Sequence, residues 1–243
     1  MTARTVTPQD LADRLAGRLS ARARPDAVLV VGLTGSVASG KSTLAEAMAA
    51  ALGGRATTAV VSTDGFLFPN AVLAERDLLA RKGFPETYDL EGMAATIADL
   101  RRGSARAPVH SHIRYDIDPD MTRHIEGAQV VMLEGLGFSP LEDGRCAAGL
   151  VDLMIYLDAG EADLEAWFVR RFMGFWRAAE HDPASFYAQF RTMTEPDAET
   201  FARQVWTGIN LPNLRQHIIR SRDAAHWIVR KDADHALWLD REA

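Results

Sequence analysis

The sequence predicts an α/β fold, built on a doubly wound and mainly parallel sheet with helices on both faces. Short, uniformly apolar runs recur along the 243 residues, as expected of strands that are buried on both faces of a parallel sheet. Segments with helical periodicity lie between these runs, and such alternation is typical of right-handed βαβ units. Ligands of this architecture bind at the carboxyl ends of the strands.

The elements follow from these patterns in chain order. The predicted strands cover residues 28–33, 59–62, 130–133, 153–157 and, more weakly, 227–229. The predicted helices cover residues 8–22, 42–52, 90–100 and 164–179. The first of these helices is amphipathic, with Leu11, Leu15 and Leu19 spaced four apart among charges.

Local sequence signals predict the starts of two more helices, the end of one of them, and one long loop. Asp182 followed by Pro183 predicts one helix start, and Thr194 with Asp197 predicts another. The second helix is expected to end near Asn210, because Pro212 disfavours helical geometry just before it. Residues 101–121 are rich in Pro, Asp and His without clear periodicity, so they are predicted to form a long loop.

Composition restricts the class of partner and compartment. The chain is 47% hydrophobic and 25% charged, which suits one globular domain over residues 1–243, with its N-terminal helix within residues 1–25. The net charge of -6 argues against a nucleic-acid or anionic-membrane surface and favours a small-molecule partner. The lone Cys146 excludes an intrachain disulfide, and no apolar run approaches the ~18 residues of a membrane helix. A cytoplasmic location is expected.

The strongest chemical signal is a glycine-rich motif between a predicted strand and a predicted helix. Residues 35–42 read GSVASGKS, a complete G-x-x-x-x-G-K-S. In such a loop, backbone N–H groups and the helix N-terminus face the phosphates of a nucleotide. Lys41 is expected to contact the β- and γ-phosphates, and the Ser42 hydroxyl to bind Mg²⁺. The predicted nucleotide-binding residues of this P-loop are Gly35, Ser36, Ala38, Ser39, Gly40, Lys41, Ser42 and Thr43.

Two carboxylates follow predicted strands and belong to the same rim of the sheet. Asp64 could accept the proton of an attacking hydroxyl, although Asp-Gly is also a common turn pair. Glu134 could reach Mg²⁺ directly or through water; the alternative is an ordinary carboxylate at a strand end.

Other side chains leave two interpretations open. His110 and His112 flank Ser111 in the predicted loop, where a surface histidine pair usually has no function. Arg170 and Arg171 lie on a predicted helix, where one could be solvated and the other could clamp phosphate charge. The rings of that helix are spaced for core packing, but they could also roof an apolar substrate pocket: Trp167, Phe168, Phe172, Phe175 and Trp176.

Several blocks in order resemble one family. They are GSVASGKST at residues 35–43, STDGFLFPN at 62–70, RKGFPETYD at 81–89, HSHIRYDIDPD at 110–120, LEGL at 133–136 and NLRQHI at 213–218. From about residue 28 to its C-terminus, the chain closely resembles bacterial type I pantothenate kinases, within the phosphoribulokinase and uridine kinase group. The resemblance implies transfer of the γ-phosphate of ATP to a hydroxyl of pantothenate, the first step of coenzyme A biosynthesis, with Mg²⁺ and as a possible homodimer.

The resemblance also implies roles for individual residues. Asp64 matches the catalytic carboxylate and Glu134 the acidic residue near the metal, while Lys41, Asp64 and Arg171 form the expected catalytic set. The expected substrate-binding residues are Asp64, His110, His112, Phe168, Arg171, Phe172 and Asn210. Lys231 and His235 fall where the family approaches the adenine. A helical segment over residues 160–215 is expected to cover the substrate.

Departures from the family's sequence pattern bear on the identity of the acceptor and on regulation of the enzyme by coenzyme A. His110 and Phe168 stand where the family has tyrosines, and Glu46 stands where it has an arginine that contacts phosphate and coenzyme A. The N-terminal extension is also shorter than in the family. The alternatives are therefore a kinase of another small polyol, sugar acid or nucleoside, or a non-catalytic nucleotide-binding switch. Against the switch, the sequence has no Asn-Lys-x-Asp segment for guanine recognition.

Overall fold

The computed structural model describes residues 4–22, 27–111 and 113–243. Its nine described strands are β1 (Arg4–Val6), β2 (Leu29–Gly35), β3 (Thr58–Ser62), β4 (Ser104–Ser111), β5 (Asp116–Glu126), β6 (Val130–Glu134), β7 (Leu153–Ala159), β8 (Trp227–Lys231) and β9 (Leu237–Glu242). Seven of them form one sheet in the order β1-β9-β8-β7-β2-β6-β3. All five predicted strands belong to its parallel part.

Two short strands at one edge of the sheet were not predicted. Strand β9 pairs antiparallel with β8, and β1 pairs antiparallel with β9. The two strands lack a uniformly apolar run, because β9 reads LWLDRE and β1 has only three residues. Edge strands are solvated on one side, so their sequences carry a weaker pattern than the buried centre.

Helices cover both faces of this sheet. The described α-helices are α1 (Pro8–Ser20), α2 (Lys41–Leu52), α3 (Asn70–Glu75), α4 (Leu90–Arg101), α5 (Glu161–Ala178), α6 (Glu195–Val205), α7 (Leu211–Asn213) and α8 (Arg220–Ala224). One face packs against α1 and α2 through residues such as Leu11 and Met48. The other packs against α4 and the C-terminal helices through Ile97 and Ile218. The predicted doubly wound sheet is therefore confirmed.

The start of α1 shows how local sequence fixes an element. Thr7 Oγ1 accepts a hydrogen bond from the N–H of Asp10 at 3.1 Å, and the Asp10 carboxylate accepts one from the N–H of Thr7 at 2.8 Å. This capping box satisfies two N–H groups that have no partner inside the helix. Pro8 follows at the first helical position, where its missing N–H costs nothing.

The prediction of a long loop over residues 101–121 is wrong. Helix α4 runs to Arg101, and β4 then pairs antiparallel with β5 as a two-stranded sheet outside the main one. Its register shifts between Pro108 and Val109. Prolines and small buried residues, such as Ala105 and Ala107, hide the apolar alternation that normally indicates a strand.

The helix predicted to start at Asp182 and Pro183 is also wrong. A 3₁₀ helix, Phe186–Phe190, forms instead, and its preceding residue Ser185 accepts a hydrogen bond from the N–H of Tyr187 at 3.3 Å. The second predicted start is confirmed, because α6 follows Thr194.

The predicted end of that helix near Asn210 is wrong. The helical run continues from α6 through a π-helical segment, Trp206–Asn210, then α7, a second π-helical segment, Leu214–Ile218, and finally α8. A proline inside an α-helix removes one N–H donor and pushes on the carbonyl four residues earlier. The wider π turn just before Pro212 gives the ring room, so the chain continues where an α-helix would break.

Among the described residues, no helix combines the length and apolar character needed to cross a membrane.

Candidate active site

The P-loop joins β2 to α2 at the carboxyl end of the sheet. Gly35 has φ +147° and Gly40 has φ +96°, conformations that favour glycine. A Cβ on Gly35 would lie 2.3 Å from the Leu157 carbonyl oxygen, and one on Gly40 would lie 2.9 Å from Lys231 Nζ. The first turn of α2 contains no acidic residue, and its N-cap makes no side-chain hydrogen bond. This helix N-terminus is therefore available to an anion.

Lys41 lies beneath this loop, only 8% exposed. Its ammonium donates a hydrogen bond to the Ser36 carbonyl oxygen at 2.8 Å. Burial lowers the pKa of Lys41 to about 8, against the opposing effect of Glu134 and Asp64. The two carboxylates and the ammonium therefore interact electrostatically, as the sequence predicted for one rim of the sheet.

Glu134 ends β6 and is 6% exposed. Burial raises the pKa of Glu134, while the charge of Lys41 and hydrogen bonds from Ser42 and Ser62 oppose the rise. The next residue, Gly135, has φ +147°, and a Cβ there would lie 1.9 Å from Thr63 Oγ1. The glycine thus lets the segment after β3 approach the end of β6.

Asp64 lies in that segment, a 3₁₀ helix formed by Thr63–Phe66. Its carboxylate Oδ1 accepts a hydrogen bond from the Tyr88 hydroxyl at 3.4 Å. Burial, followed by the charge of Asp64, raises the pKa of Tyr88 well above its ordinary value. A Cβ on Gly65 would lie 2.1 Å from the Pro108 carbonyl oxygen, so the hairpin β4–β5 packs directly on this turn.

The hairpin forms one wall next to Asp64. The ring of His110 lies 5.7 Å from that of Tyr115, edge to face, and Tyr115 stacks on Phe186 at 4.3 Å. Burial, with smaller contributions from Tyr187 and Asp64, raises the pKa of Tyr115 to about 12. His112, the second predicted histidine, lies outside the described residues.

Lys82 joins this wall to the segment that follows β3. Its ammonium donates to the Tyr115 carbonyl oxygen at 2.5 Å and to Asn70 Oδ1 at 2.8 Å, and it lies 4.5 Å from the centroid of the Tyr115 ring. Burial lowers the pKa of Lys82, whereas the negative charges of Asp116 and Asp64 act to raise it. A second cation is therefore held close to Asp64.

Helix α5 supplies the predicted arginine. Arg171 is exposed, and its guanidinium lies 5.5 Å from the centroid of the Phe175 ring. Its charge lowers the pKa of Lys41 and of Tyr115, so it is within electrostatic reach of both the P-loop and the hairpin. Arg170 is also exposed.

The other predicted substrate residues have different environments. Phe168 is half-buried, with its ring 5.9 Å from that of Trp206. Phe172 is 6% exposed and packs in an aromatic cluster with Phe190 and Phe201, which makes it a core residue of the helical region. The Nδ2 of Asn210, at the end of the first π-helical segment, is buried without a hydrogen-bond partner among the described residues.

The side of the P-loop facing β8 contains the two residues predicted to approach adenine. The Lys231 ammonium donates to the Ser39 carbonyl oxygen and lies 4.0 Å from the centroid of the Trp167 ring. The Trp167 ring in turn lies 5.0 Å from His235. Burial lowers the pKa of Lys231.

Four residues at the site received no role from sequence reasoning. Tyr88 and Lys82 belong to the RKGFPETYD block, and Tyr115 belongs to HSHIRYDIDPD, so their inclusion in those blocks was the available signal. Trp167 belongs to the aromatic stripe of a predicted helix, where core packing is the default interpretation. Their contacts join segments far apart in the chain, which periodicity does not reveal.

Comparison with known proteins gives the family of the chain. The model of the phosphoribulokinase / uridine kinase family matches residues 30–174. The chain belongs to this family. The chain is 40% identical over 213 residues to a protein named pantothenate kinase from Mycobacterium sp. (strain KMS), covering 86% of this chain and 68% of that one. It is 39% identical over 214 residues to a protein of the same name from Streptococcus pneumoniae (strain P1031), covering 86% and 70%.

Solved structures add a match in fold. The chain is similar to a putative fructose transport system kinase from Silicibacter sp. TM1040, with a TM-score of 0.70, 28% identity, and coverage of 86% of this chain and 93% of that one. It also shares its fold with phosphoribulokinase from Rhodobacter sphaeroides, with a TM-score of 0.51, 15% identity, and coverage of 85% and 71%. The chain is an ATP-dependent phosphotransferase of the P-loop kinase type, as the sequence predicted.

Proposed function

We propose that this chain transfers the γ-phosphate of Mg-ATP to a hydroxyl of pantothenate. The observation that carries the proposal is 40% identity, over 86% of the chain, to a protein named pantothenate kinase. Because 86% of the chain is covered, this similarity extends well beyond the residues of the P-loop. The reaction would supply the first phosphorylated intermediate of coenzyme A biosynthesis.

The proposed step is an in-line phosphoryl transfer. The oxygen of the acceptor hydroxyl would form a bond to the γ-phosphorus while the bond between that phosphorus and the leaving ADP oxygen breaks. Asp64 would accept the proton that the attacking hydroxyl loses. The Tyr88 hydroxyl would keep the Asp64 carboxylate oriented through the observed hydrogen bond. Lys41 and the N-terminus of α2 would hold the phosphates, and Arg171 would offset the charge on the transferred group.

Mg²⁺ fits the side chains at this rim. The Ser42 hydroxyl opposes the rise in the pKa of Glu134, so two oxygen donors of the kind Mg²⁺ prefers lie close together. In the described part of the chain, no three His, Cys, Asp or Glu side chains cluster as a dedicated metal cage. Mg²⁺ at this rim would be bound by one or two protein oxygens and by the phosphates of the nucleotide, where it would neutralise phosphate charge.

A second candidate is phosphorylation of a different small hydroxyl compound, with a sugar first. It is favoured by the structural match to the putative fructose transport system kinase, of which 93% is covered at 28% identity. His110 and Phe168, at positions where pantothenate kinases usually have tyrosines, would alter hydrogen bonding in the pocket. A site built around hydroxyl contacts discriminates strongly between near analogues.

A coupled ADP-release assay tests the proposal. Wild-type protein with Mg-ATP would be offered pantothenate, pantoate, glycerate, uridine, ribulose 5-phosphate and fructose in turn, with Asp64→Asn as the background control. We expect pantothenate to give the highest kcat/KM. Turnover with fructose or another acceptor, and none above background with pantothenate, would refute the pantothenate assignment and leave the kinase assignment in place.

Two further expectations accompany this function. A cytoplasmic location and a possible homodimer suit an enzyme acting on a small metabolite, and both stay predictions. Size-exclusion chromatography with light scattering would measure the oligomeric state.

A further inference from the structure

A cavity lies beside the P-loop, at the carboxyl end of β7. It has a volume of about 300 Å³, near the lower end of the range for small-molecule pockets. Of the residues predicted to bind nucleotide or acceptor, only Ser36 lines it. Its walls come from the P-loop, the end of β7, the start of α5 and the second π-helical segment with the residue that follows; they include Ser36, Asp158, Ala159, Glu161, Leu164, Leu214 and Arg215.

The cavity combines an apolar interior with paired charges. Leu164 and Leu214 are almost fully buried, whereas Arg215 and Glu161 are exposed and joined by a hydrogen-bonded ion pair at 2.7 Å. Asp158 is similarly paired with Arg222, at 2.9 Å. Because the charged side chains already neutralise one another, the cavity suits a neutral, largely apolar occupant rather than an ion.

Ser36 gives this cavity a polar group and a connection to the active site. The residue is 2% exposed, and its hydroxyl has no hydrogen-bond partner among the described residues. Buried hydroxyls are normally paired, so this one is suited to donate to an acceptor atom in the cavity. The carbonyl oxygen of the same residue accepts the Lys41 ammonium at 2.8 Å. A ligand that moves Ser36 would therefore move a hydrogen-bond partner of Lys41.

The helix that forms one wall is irregular at the same place. The second π-helical segment, Leu214–Ile218, supplies two of the lining residues. Pro212 explains the first π-helical segment, which precedes it, but not the second, which lies after it. A π segment sacrifices regular i→i−4 bonding, and such segments occur frequently at functional sites.

We propose that this cavity is a regulatory site for a small neutral molecule that has a short apolar body and one hydrogen-bond acceptor, such as an aliphatic alcohol or amide. Its acceptor atom bonds to the Ser36 hydroxyl, and its apolar body packs against Leu164 and Leu214. Occupancy changes nucleotide affinity, because the Ser36 carbonyl and the phosphates of the nucleotide compete for the ammonium of Lys41.

The test measures nucleotide binding without any acceptor or turnover. A non-hydrolysable ATP analogue with Mg²⁺ is titrated by calorimetry, with and without hexan-1-ol or hexanamide as the probe. We expect a saturable effect with a midpoint of about 1 mM for so small a ligand. At saturation we expect the Kd of the analogue to change by about fivefold, at the lower end of ordinary allosteric coupling.

A pair of substitutions at the cavity mouth provides the control. Ile219 is 39% exposed and lines the cavity, so Ile219→Trp is expected to fold and to block entry, whereas Ile219→Ala keeps the entrance open. Without probe, both variants should bind the analogue as the wild type does. With probe, only Ile219→Ala should show the wild-type response. Ala159→Leu, at the end of β7, is a second blocking variant should the tryptophan unfold the chain.

An analogue Kd that does not respond to either probe overturns the proposal. So does an equal response in the wild type and in a folded blocking variant, because the probe then acts elsewhere. Neither result bears on pantothenate phosphorylation, since the binding assay contains no acceptor.

Discussion

The phosphate side and the acceptor side of this active site are built in different ways. On the phosphate side, the P-loop, Asp64 and Glu134 directly follow or end three neighbouring parallel strands, β2, β3 and β6. On the acceptor side, the hairpin β4–β5, α5 and the π-containing helical run meet through contacts between residues far apart in sequence.

The packing of the two sides differs accordingly. Close approaches that a Cβ would block hold the phosphate side together, at Gly35 against the Leu157 carbonyl oxygen and at Gly135 against the Thr63 side chain. Ring contacts, such as that between Tyr115 and Phe186, hold the acceptor side together. A backbone clash is hard to relieve, whereas rings can repack with modest loss of stability. We therefore expect phosphoryl transfer to be intolerant of substitution and acceptor choice to be adjustable.

The largest expected effect belongs to Asp64. Replacement by asparagine keeps the shape and removes the proton acceptor, so Asp64→Asn should lower kcat by about 10²–10⁴-fold. The Kd of an ATP analogue should stay within about twofold of the wild type, since the P-loop binds its phosphates independently of a general base. Steady-state kinetics and calorimetry measure the two quantities.

Asp120→Asn is the matched control for this change, because Asp120 is an exposed carboxylate on β5. It should keep wild-type kcat. Near-normal phosphoryl transfer by Asp64→Asn would make Asp64 a structural turn residue and would remove it from the phosphate side.

The next effect concerns Lys41 and separates activity from stability. Lys41→Met should lower kcat/KM for Mg-ATP by about 10²–10³-fold, through loss of an electrostatic contact to the phosphates. The same variant should be more stable than the wild type at pH 7, by about 1–3 kcal/mol, because a charged ammonium is no longer buried.

The pH dependence of this gain has a definite sign. The pKa of Lys41 is about 8 in the folded chain and 10.5 as its ordinary value, so the unfolded chain binds more protons between these pH values. The free energy of unfolding contributed by Lys41 therefore rises with pH from about 8 to 10.5. The advantage of Lys41→Met should shrink over that window in urea titrations. A variant less stable than the wild type at pH 7 would show that the loss of the hydrogen bond to Ser36 and of the positive charge near Glu134 outweighs the relief from burying the ammonium.

The smallest expected effect lies on the acceptor side. Phe168→Tyr adds a hydroxyl at a position where the family resemblance implies a tyrosine, and it should raise kcat/KM for pantothenate by about two- to tenfold while leaving KM for ATP unchanged. Phe190→Tyr, in the aromatic cluster, is the matched control and should alter neither. A shift in KM for ATP in Phe168→Tyr would contradict the independence of the two sides.

The parallel core and the phosphate side could be predicted from sequence because their signals are local. A strand buried on both faces appears in the sequence as a continuous apolar run. The P-loop motif is complete within the eight consecutive residues 35–42. The carboxyl ends of neighbouring parallel strands meet at one rim, so Asp64 and Glu134 could be placed near Lys41 without coordinates.

Tertiary structure decided the acceptor side. The strands β4 and β5 stabilise each other by pairing, and residues 101–121 taken alone carry no clear period. The helical run passes Pro212 because the first π segment, just before the proline, gives its ring room, and because Leu214 and Ile218 pack in the core beyond it. Propensity describes a segment by itself, whereas these elements draw their stability from partners far away in the chain.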